Sequence, residues 1–251
     1  MATTVTTHTL GTREEWQAAS AALLEREKEY TRMGDELARQ RRSLPWVPVA
    51  KEYTLQTAGG PKTLAQLFDD RSQLLIYHFM FGPSYEVGCP VNSSMADTFD
   101  SLIPHLKARD TTLIAVSGAP IERLEAYRER MGWRFDWASS YESDFNTDVG
   151  FSSSLDQTRE AIEPILDQLP AVAFRNAEAA GTDIYGYLTE LFGFTAFSFE
   201  DGVIYQTYST TGRGVEFLMP YYGVLDRAPK GRDEGERWQL WIRRHDEYDT
   251  E

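Results

Sequence analysis

Apolar positions change their period several times along the chain, and each change predicts an element. Between residues 12 and 44, Trp16, Leu23, Tyr30, Leu37 and Leu44 recur every seven residues among charged neighbours. That is the narrow stripe of one long helix, which packs along a groove on its own domain or on a second copy. Thr12 and Glu15 have capping-box spacing at its start, and Pro45 and Pro48 end it. Residues 51–64 read as a β-hairpin turning near Gly59 and Gly60, followed by a short helix at 64–68. The run LLIYHFMF over 74–81 is continuously apolar, as in a strand covered on both faces, and Gly82-Pro83 closes it.

From 90 to 106, Val91, Met95, Phe99, Ile103 and Leu106 hold one helical face, and Pro104 is expected to kink or shorten the last turn. TLIAVS over 112–117 is a second buried strand, and 121–131 a helix with Leu124 and Tyr127 inward. Trp133, Phe135 and Trp137 alternate with Arg134 and Asp136, the pattern of a half-buried strand. Residues 155–169 and 181–192 look helical but have no evident place in the architecture. Two strands, 196–199 and 203–208, flank the strong Asp201-Gly202 turn, and a last helix is expected over 214–225. The sequential strand–helix–strand units imply right-handed parallel crossovers, to which the hairpin adds antiparallel strands.

Composition narrows the class. Of 251 residues, 41% are hydrophobic, enough for a core, and none of the apolar runs reaches the length of a membrane-spanning helix. The polar start does not have the pattern of a secretory leader. A net charge of -14 argues against nucleic acid and for a solvated acidic surface. One cysteine excludes an internal disulfide and points to a reducing, cytoplasmic setting. The four histidines show no ligand spacing, so no metal site is assigned and no cofactor is expected.

That cysteine, Cys89, lies eight residues past Phe81 and is followed by Pro90, which favours the first helical position. Cys89 is then the N-cap, where free N–H groups and the helix dipole favour a thiolate. Nearby Glu86 and the acidic chain oppose this, and a lone cysteine is often an inert buried one. Asn92 and Ser93, in the first turn, either donate to the sulfur or close the helix start. Tyr85 and Glu86 flank the approach, with Glu86 either a base or a solvated carboxylate. Arg213, between Gly212 and Gly214, either holds an anion at a helix start or makes a surface ion pair. His78, in the first central strand, reads as a buried histidine bonded to a carbonyl.

Several stretches together resemble the bacterial domain-of-unknown-function 899 family. They include RRSLPWVPVAKEYTL from Arg41, SQLLIYHFMFGPSYEVGCP from Ser72, RDTTLIAVSGAP from Arg109, TYSTTGRG from Thr207 and WIRRHDEY from Trp241. Residues 152–195 depart from the family pattern and read as an insertion. The resemblance implies an α/β fold with a thioredoxin-like central mixed β-sheet flanked by helices, a long N-terminal helix and a helical insertion. The family pattern Cys-Pro-Ser-Cys-Ser reads Cys89-Pro90-Val91-Asn92-Ser93 here, so a dithiol cycle within one chain is impossible. The cis-proline of thioredoxins has no counterpart among Gly193, Phe194 and Thr195. Pro83 and Glu86 lie six and three residues before Cys89, which does not fit the peroxiredoxin Pro and Thr spacing.

Three functional readings stay open. Cys89 is a single-thiol oxidoreductase centre, with a small thiol or a protein thiol as partner. Alternatively, the chain is a non-catalytic thioredoxin-fold binding or scaffold protein, or an enzyme of another class holding a small anion near Tyr85, Glu86 and Arg213. The expected organisation is an N-terminal helical extension over 1–48, a thioredoxin-like domain over 49–225 with an insertion at about 152–194, and a C-terminal tail over 226–251. A homodimer through the N-terminal helix is expected.

Overall fold

The computed structural model describes residues 9–248, so part of the polar start on which the absence of a leader was argued lies outside the described residues. The chain divides into two compact units, one ending at Pro45 and the other beginning at Trp46. The first is essentially one helix, α1 (Arg13–Arg42). Its capping box is complete: the Glu15 N–H donates to Thr12 Oγ1 at 3.2 Å and the Thr12 N–H to Glu15 Oε2 at 2.7 Å. Arg39, Arg41 and Arg42 fill the last turn, where positive charge complements the helix dipole. Ion pairs Lys28–Glu25, Arg26–Glu29 and Arg39–Glu36 lace its surface, and taken by itself the helix buries no side chain.

The second unit is built on a mixed sheet. Its strands are β1 (Val47–Pro48), β2 (Thr54–Thr57), β3 (Gly60–Thr63), β4 (Gln73–His78), β5 (Thr111–Ser117), β6 (Trp137–Ser139), β7 (Gly193–Glu200) and β8 (Val203–Thr211). Among the described residues they order as β1-β8-β7-β4-β5-β6-β2-β3. The β4, β5 and β6 strands run parallel, whereas β7 pairs antiparallel with β4 and β8 with β7. A βαβ unit at the centre, flanked by an antiparallel hairpin next to its first strand, is the thioredoxin-like arrangement. The helices are α2 (Pro90–Ala96), α3 (Phe99–Lys107), α4 (Ile121–Arg130), α5 (Phe145–Asp148), α6 (Leu155–Ile162), α7 (Ala171–Ala179), α8 (Ile184–Tyr187) and α9 (Pro220–Leu225).

Alternation along β4 and β5 sorts two cores onto the two faces of the sheet. Leu74, Ile76, Ile114 and Val116 meet Tyr53, Leu55, Phe68 and Phe145 on one face. Tyr77, Leu113 and Ala115 meet the larger, ring-rich layer of Phe79, Phe99, Tyr127, Trp133, Phe135 and Trp137 on the other. Rings here pack edge-on, as Tyr77 on Phe99 (5.2 Å) and Phe79 on Trp137 (4.8 Å), the arrangement aromatic quadrupoles favour.

Four local readings change. The first central strand ends at His78 rather than Phe81. The Phe79 N–H still bonds Val116 O, but the Met80 N–H is taken by Asn92 Oδ1. The helix expected over 90–106 breaks between α2 and α3 rather than at Pro104, which sits inside α3. At the break, Asp97 accepts from Trp133 Nε1 and bonds His245 Nδ1, while the Thr98 hydroxyl donates to Met95 O. Trp133, Phe135 and Trp137 do alternate inward, yet the ladder begins only at Trp137. The last helix is split: residues 212–218 form a 3-10 turn, and Pro220, which lacks an N–H, opens α9.

Candidate functional site

Cys89 is the N-cap of α2 with Pro90 in the first turn, as the sequence predicts. The Cys89 N–H bonds Met80 O, which fixes the start of α2 to the chain leaving β4. Cys89 is only 1% exposed. Its sulfur lies 3.1 Å from Tyr187 Oη, and Tyr187 stacks on Tyr85. Burial holds the Tyr187 phenol well above its ordinary pKa, so that hydroxyl stays protonated and can donate to the sulfur.

At the sulfur, burial opposes the N-cap effect that favours a thiolate. Desolvation pushes the Cys89 thiol up. The Tyr187 hydroxyl, the Asn92 and Val91 N–H groups and the Arg244 charge pull it down without matching the burial effect.

The other predicted residues are distributed unevenly. Asn92 is buried and spends its Oδ1 on the Met80 N–H at 2.7 Å, so it ties α2 to the end of β4. The Ser93 hydroxyl donates to Cys89 O and bonds Tyr127 Oη, both at 2.8 Å. Tyr85 is buried and donates to Tyr187 O, supporting the Tyr187 ring from behind. Glu86 is exposed and packs over Gly181. Arg213 pairs with Glu216 at 2.9 Å and is 77% exposed. His78 is buried and bonds Thr195 Oγ1 and the side-chain carbonyl oxygen of Asn146, and burial lowers its pKa to about 3, so it is neutral.

Cys89, Asn92 and Arg213 line one cavity of about 280 Å³. Its walls are apolar, from Met80, Val91, Met95, Val172, Leu188 and Phe192 among others, and Arg213, Glu216 and Gln239 bring polar groups to it. Tyr85, Glu86 and Ser93 are not part of its lining.

Two contributors were not legible in the sequence. Tyr187 lies at the end of α8, which Asp183 caps by accepting from the Gly186 N–H. Asp183 ahead of an Ile-Tyr-Gly-Tyr segment is the one local signal that marks this turn. Arg244, in the tail, is buried and donates to Gly88 O, Ala179 O and Tyr127 Oη. It clamps the residue preceding Cys89 to α4 and to the end of α7.

The fold and this cysteine at the head of a central helix place the protein in the thioredoxin-like class. A family model described as bacterial protein of unknown function (DUF899) matches residues 5–248, and the chain belongs to that family. No curated protein matches it. Among solved structures it is similar to the peroxidoxin BcpB of Mycobacterium tuberculosis, at 12% identity and a TM-score of 0.42, covering 70% of this chain and 94% of that one. It is also similar to a PrxQ mutant of Xylella fastidiosa, at 12% identity and a TM-score of 0.37, covering 68% and 87%. A putative protein disulfide isomerase of Bacteroides thetaiotaomicron matches at 14% identity and a TM-score of 0.36, covering 77% and 99%. Among the described residues no helix is long and apolar enough to cross a membrane.

Proposed function

We propose that this is a thioredoxin-fold binding protein whose cavity beside Cys89 takes a compact apolar ligand, without catalytic thiol chemistry. The observation that carries the reading is Cys89 itself: 1% exposed, in an apolar cavity of about 280 Å³, with its pKa pushed up by burial. A cavity walled by aliphatic and aromatic side chains with few polar groups suits a small apolar molecule. Alkylation of Cys89 measured against pH tests this. A reaction that becomes appreciable only above the ordinary thiol range, and that toluene or indole slows by occupying the cavity, is expected. Rapid alkylation near neutral pH would sink the reading.

A second reading, a single-thiol oxidoreductase, is favoured by the Tyr187 hydroxyl 3.1 Å from Sγ, a donor able to stabilise a thiolate. In that chemistry the Cys89 thiolate attacks one oxygen of an organic hydroperoxide. The O–O bond breaks, the alcohol leaves with a proton, and the sulfur becomes a sulfenic acid. Two equivalents of a small thiol then return it to the thiol, releasing water and a disulfide. Consumption of cumene hydroperoxide with a small thiol, lost in Cys89→Ser, is the result that would favour it. Both readings keep the division into a helical extension over 1–48, a thioredoxin-like domain over 49–225 and a tail over 226–251. They also keep the cytoplasmic setting and a homodimer formed through α1.

A further inference from the structure

A second cavity, of about 570 Å³, shares none of its lining residues with the one beside Cys89. It lies where the parallel strands end: Pro83 and Ser84 follow β4, Gly118 follows β5, and Ser140–Ser143 follow β6. The carboxyl ends of parallel strands are where open α/β sheets hold their ligands. Ser152, Ser153, Thr182, Asp183, Thr189 and Glu190 close the far side. The lining is rich in hydroxyls, its charged members are Glu142, Asp183 and Glu190, and it includes no lysine, arginine or histidine.

Glu190 sits at the bottom of this cavity and is only 3% exposed. The Ser152 hydroxyl donates to its Oε2 at 2.9 Å. Among the described residues no donor reaches Oε1, yet this atom is not sealed off, since the fully enclosed unpartnered side-chain atoms are Arg128 Nε and Arg175 Nε. Oε1 lies against Gly118, which lines the cavity with Glu190. The carboxyl is seated by close backbone approach: a Cβ on Gly118 would come within 2.7 Å of Oε1, and one on Gly82 within 2.9 Å of Cγ. A Cβ at 82 would also press on the Tyr85 ring, and one at 118 would displace the carboxyl itself. A buried carboxyl with one free oxygen, set between two glycines at the end of a hydroxyl-lined cavity, is a built acceptor for a hydrogen-bonding cation.

We propose that this cavity binds a small polyhydroxylated amine, its hydroxyls met by the serine and threonine side chains and its ammonium group placed against Glu190. Burial raises Glu190 from 4.5 to about 8, so the empty site holds a neutral carboxylic acid at pH 7. The groups facing it are Tyr85, whose own pKa burial pushes well up, and the carboxylates of Glu142 and Asp183 on the cavity wall. Arg123 lies outside the lining, its guanidinium engaged by Pro83 O and Tyr85 O. An incoming ammonium favours the ionised carboxylate, so Glu190 gives its proton to solvent as the ligand binds.

Calorimetric titration of the full chain at pH 7 with N-methylglucamine, and with its neutral counterpart sorbitol, tests the proposal. Repeating the titration in phosphate and in MOPS, whose ionisation heats differ, counts the protons. The amine should bind at least about tenfold more tightly than sorbitol and release a proton into the buffer, and Glu190→Gln should lose about tenfold or more in amine affinity. The proton count comes from the wild-type protein, so it stands even where the Glu190→Gln variant fails to fold. Failure of the amine to saturate, sorbitol binding as tightly, or amine binding without proton release would each overturn it.

Discussion

At Cys89 and Glu190, burial decides the chemistry. Glu190 keeps its proton to about pH 8 when folded, whereas in the unfolded chain it loses it near 4.5. Between those values only the unfolded state is ionised, so stability falls as pH rises, by about 1.4 kcal/mol per unit. His78 works the other way: neutral to about 3 when folded against 6.5 unfolded, it removes stability as pH falls below 6.5. The two slopes oppose each other from 4.5 to 6.5, and above 6.5 the Glu190 slope stands alone. Urea unfolding of wild type should therefore weaken between pH 6.5 and 8, and Glu190→Gln should remove that decline. At the other cavity, Tyr187→Phe deletes the first of the groups favouring the thiolate, and should raise the Cys89 pKa further, read as a shift of its alkylation profile to higher pH. The sequence placed Cys89 correctly because Pro90 reports the helix start directly. It could not report desolvation, because Tyr187, which lies 3.1 Å from the sulfur, arrives from 98 residues away. Glu190 did leave a trace, as a lone charge within the apolar Leu188–Phe192 segment.

At the scale of elements, local pattern was legible where one element satisfied its own requirements. The capping box of α1, the buried run of β5 and the Asp201-Gly202 turn formed where their residues predict, and β4 formed over the first part of its predicted run. Prediction failed where a distant side chain took over a backbone or helix-end role. Asn92 replaces a ladder partner at Met80, and Asp97 serves Trp133 and His245 at the α2–α3 break. The stretch of α6, α7 and α8 was opaque because each helix is short and they pack on one another and on α2. Arg244 shows how much such a contact holds. Its guanidinium satisfies Gly88 O and Ala179 O inside the protein and pairs with Glu247 at 2.6 Å. Arg244→Met would strand those carbonyls, while Glu247 keeps Arg130 as a partner at 3.1 Å. The substitution is expected to cost about 1–3 kcal/mol in urea unfolding. The same variant should speed alkylation of Cys89, because the Gly88–Cys89 link loses its clamp, even though it also loses a nearby positive charge.

For the whole molecule, α1 raises the question of assembly. It spans 30 residues and leaves Trp16, Leu23, Tyr30, Leu37 and Leu44 exposed along the helix and its C-terminal end. Its i,i+3 ion pairs contribute only about 0.2–0.5 kcal/mol each, and a lone helix in water is marginal. A second copy would cover the stripe at a seven-residue repeat, the period of a two-stranded seam. The seam is thin, because the positions three residues on alternate between Ala19, Arg26, Met33 and Gln40, so half of them are polar. A thin seam predicts a dimer that depends on concentration rather than a permanent one. Light scattering at high micromolar concentration should give twice the 28.6 kDa chain mass, falling toward 28.6 kDa on dilution, with a melting temperature that falls in parallel. Replacing Leu23 and Leu37 together with glutamate puts like charges into the seam and should give 28.6 kDa at every concentration. A wild-type protein already monomeric at the highest concentration would mean that the stripe serves something other than self-association.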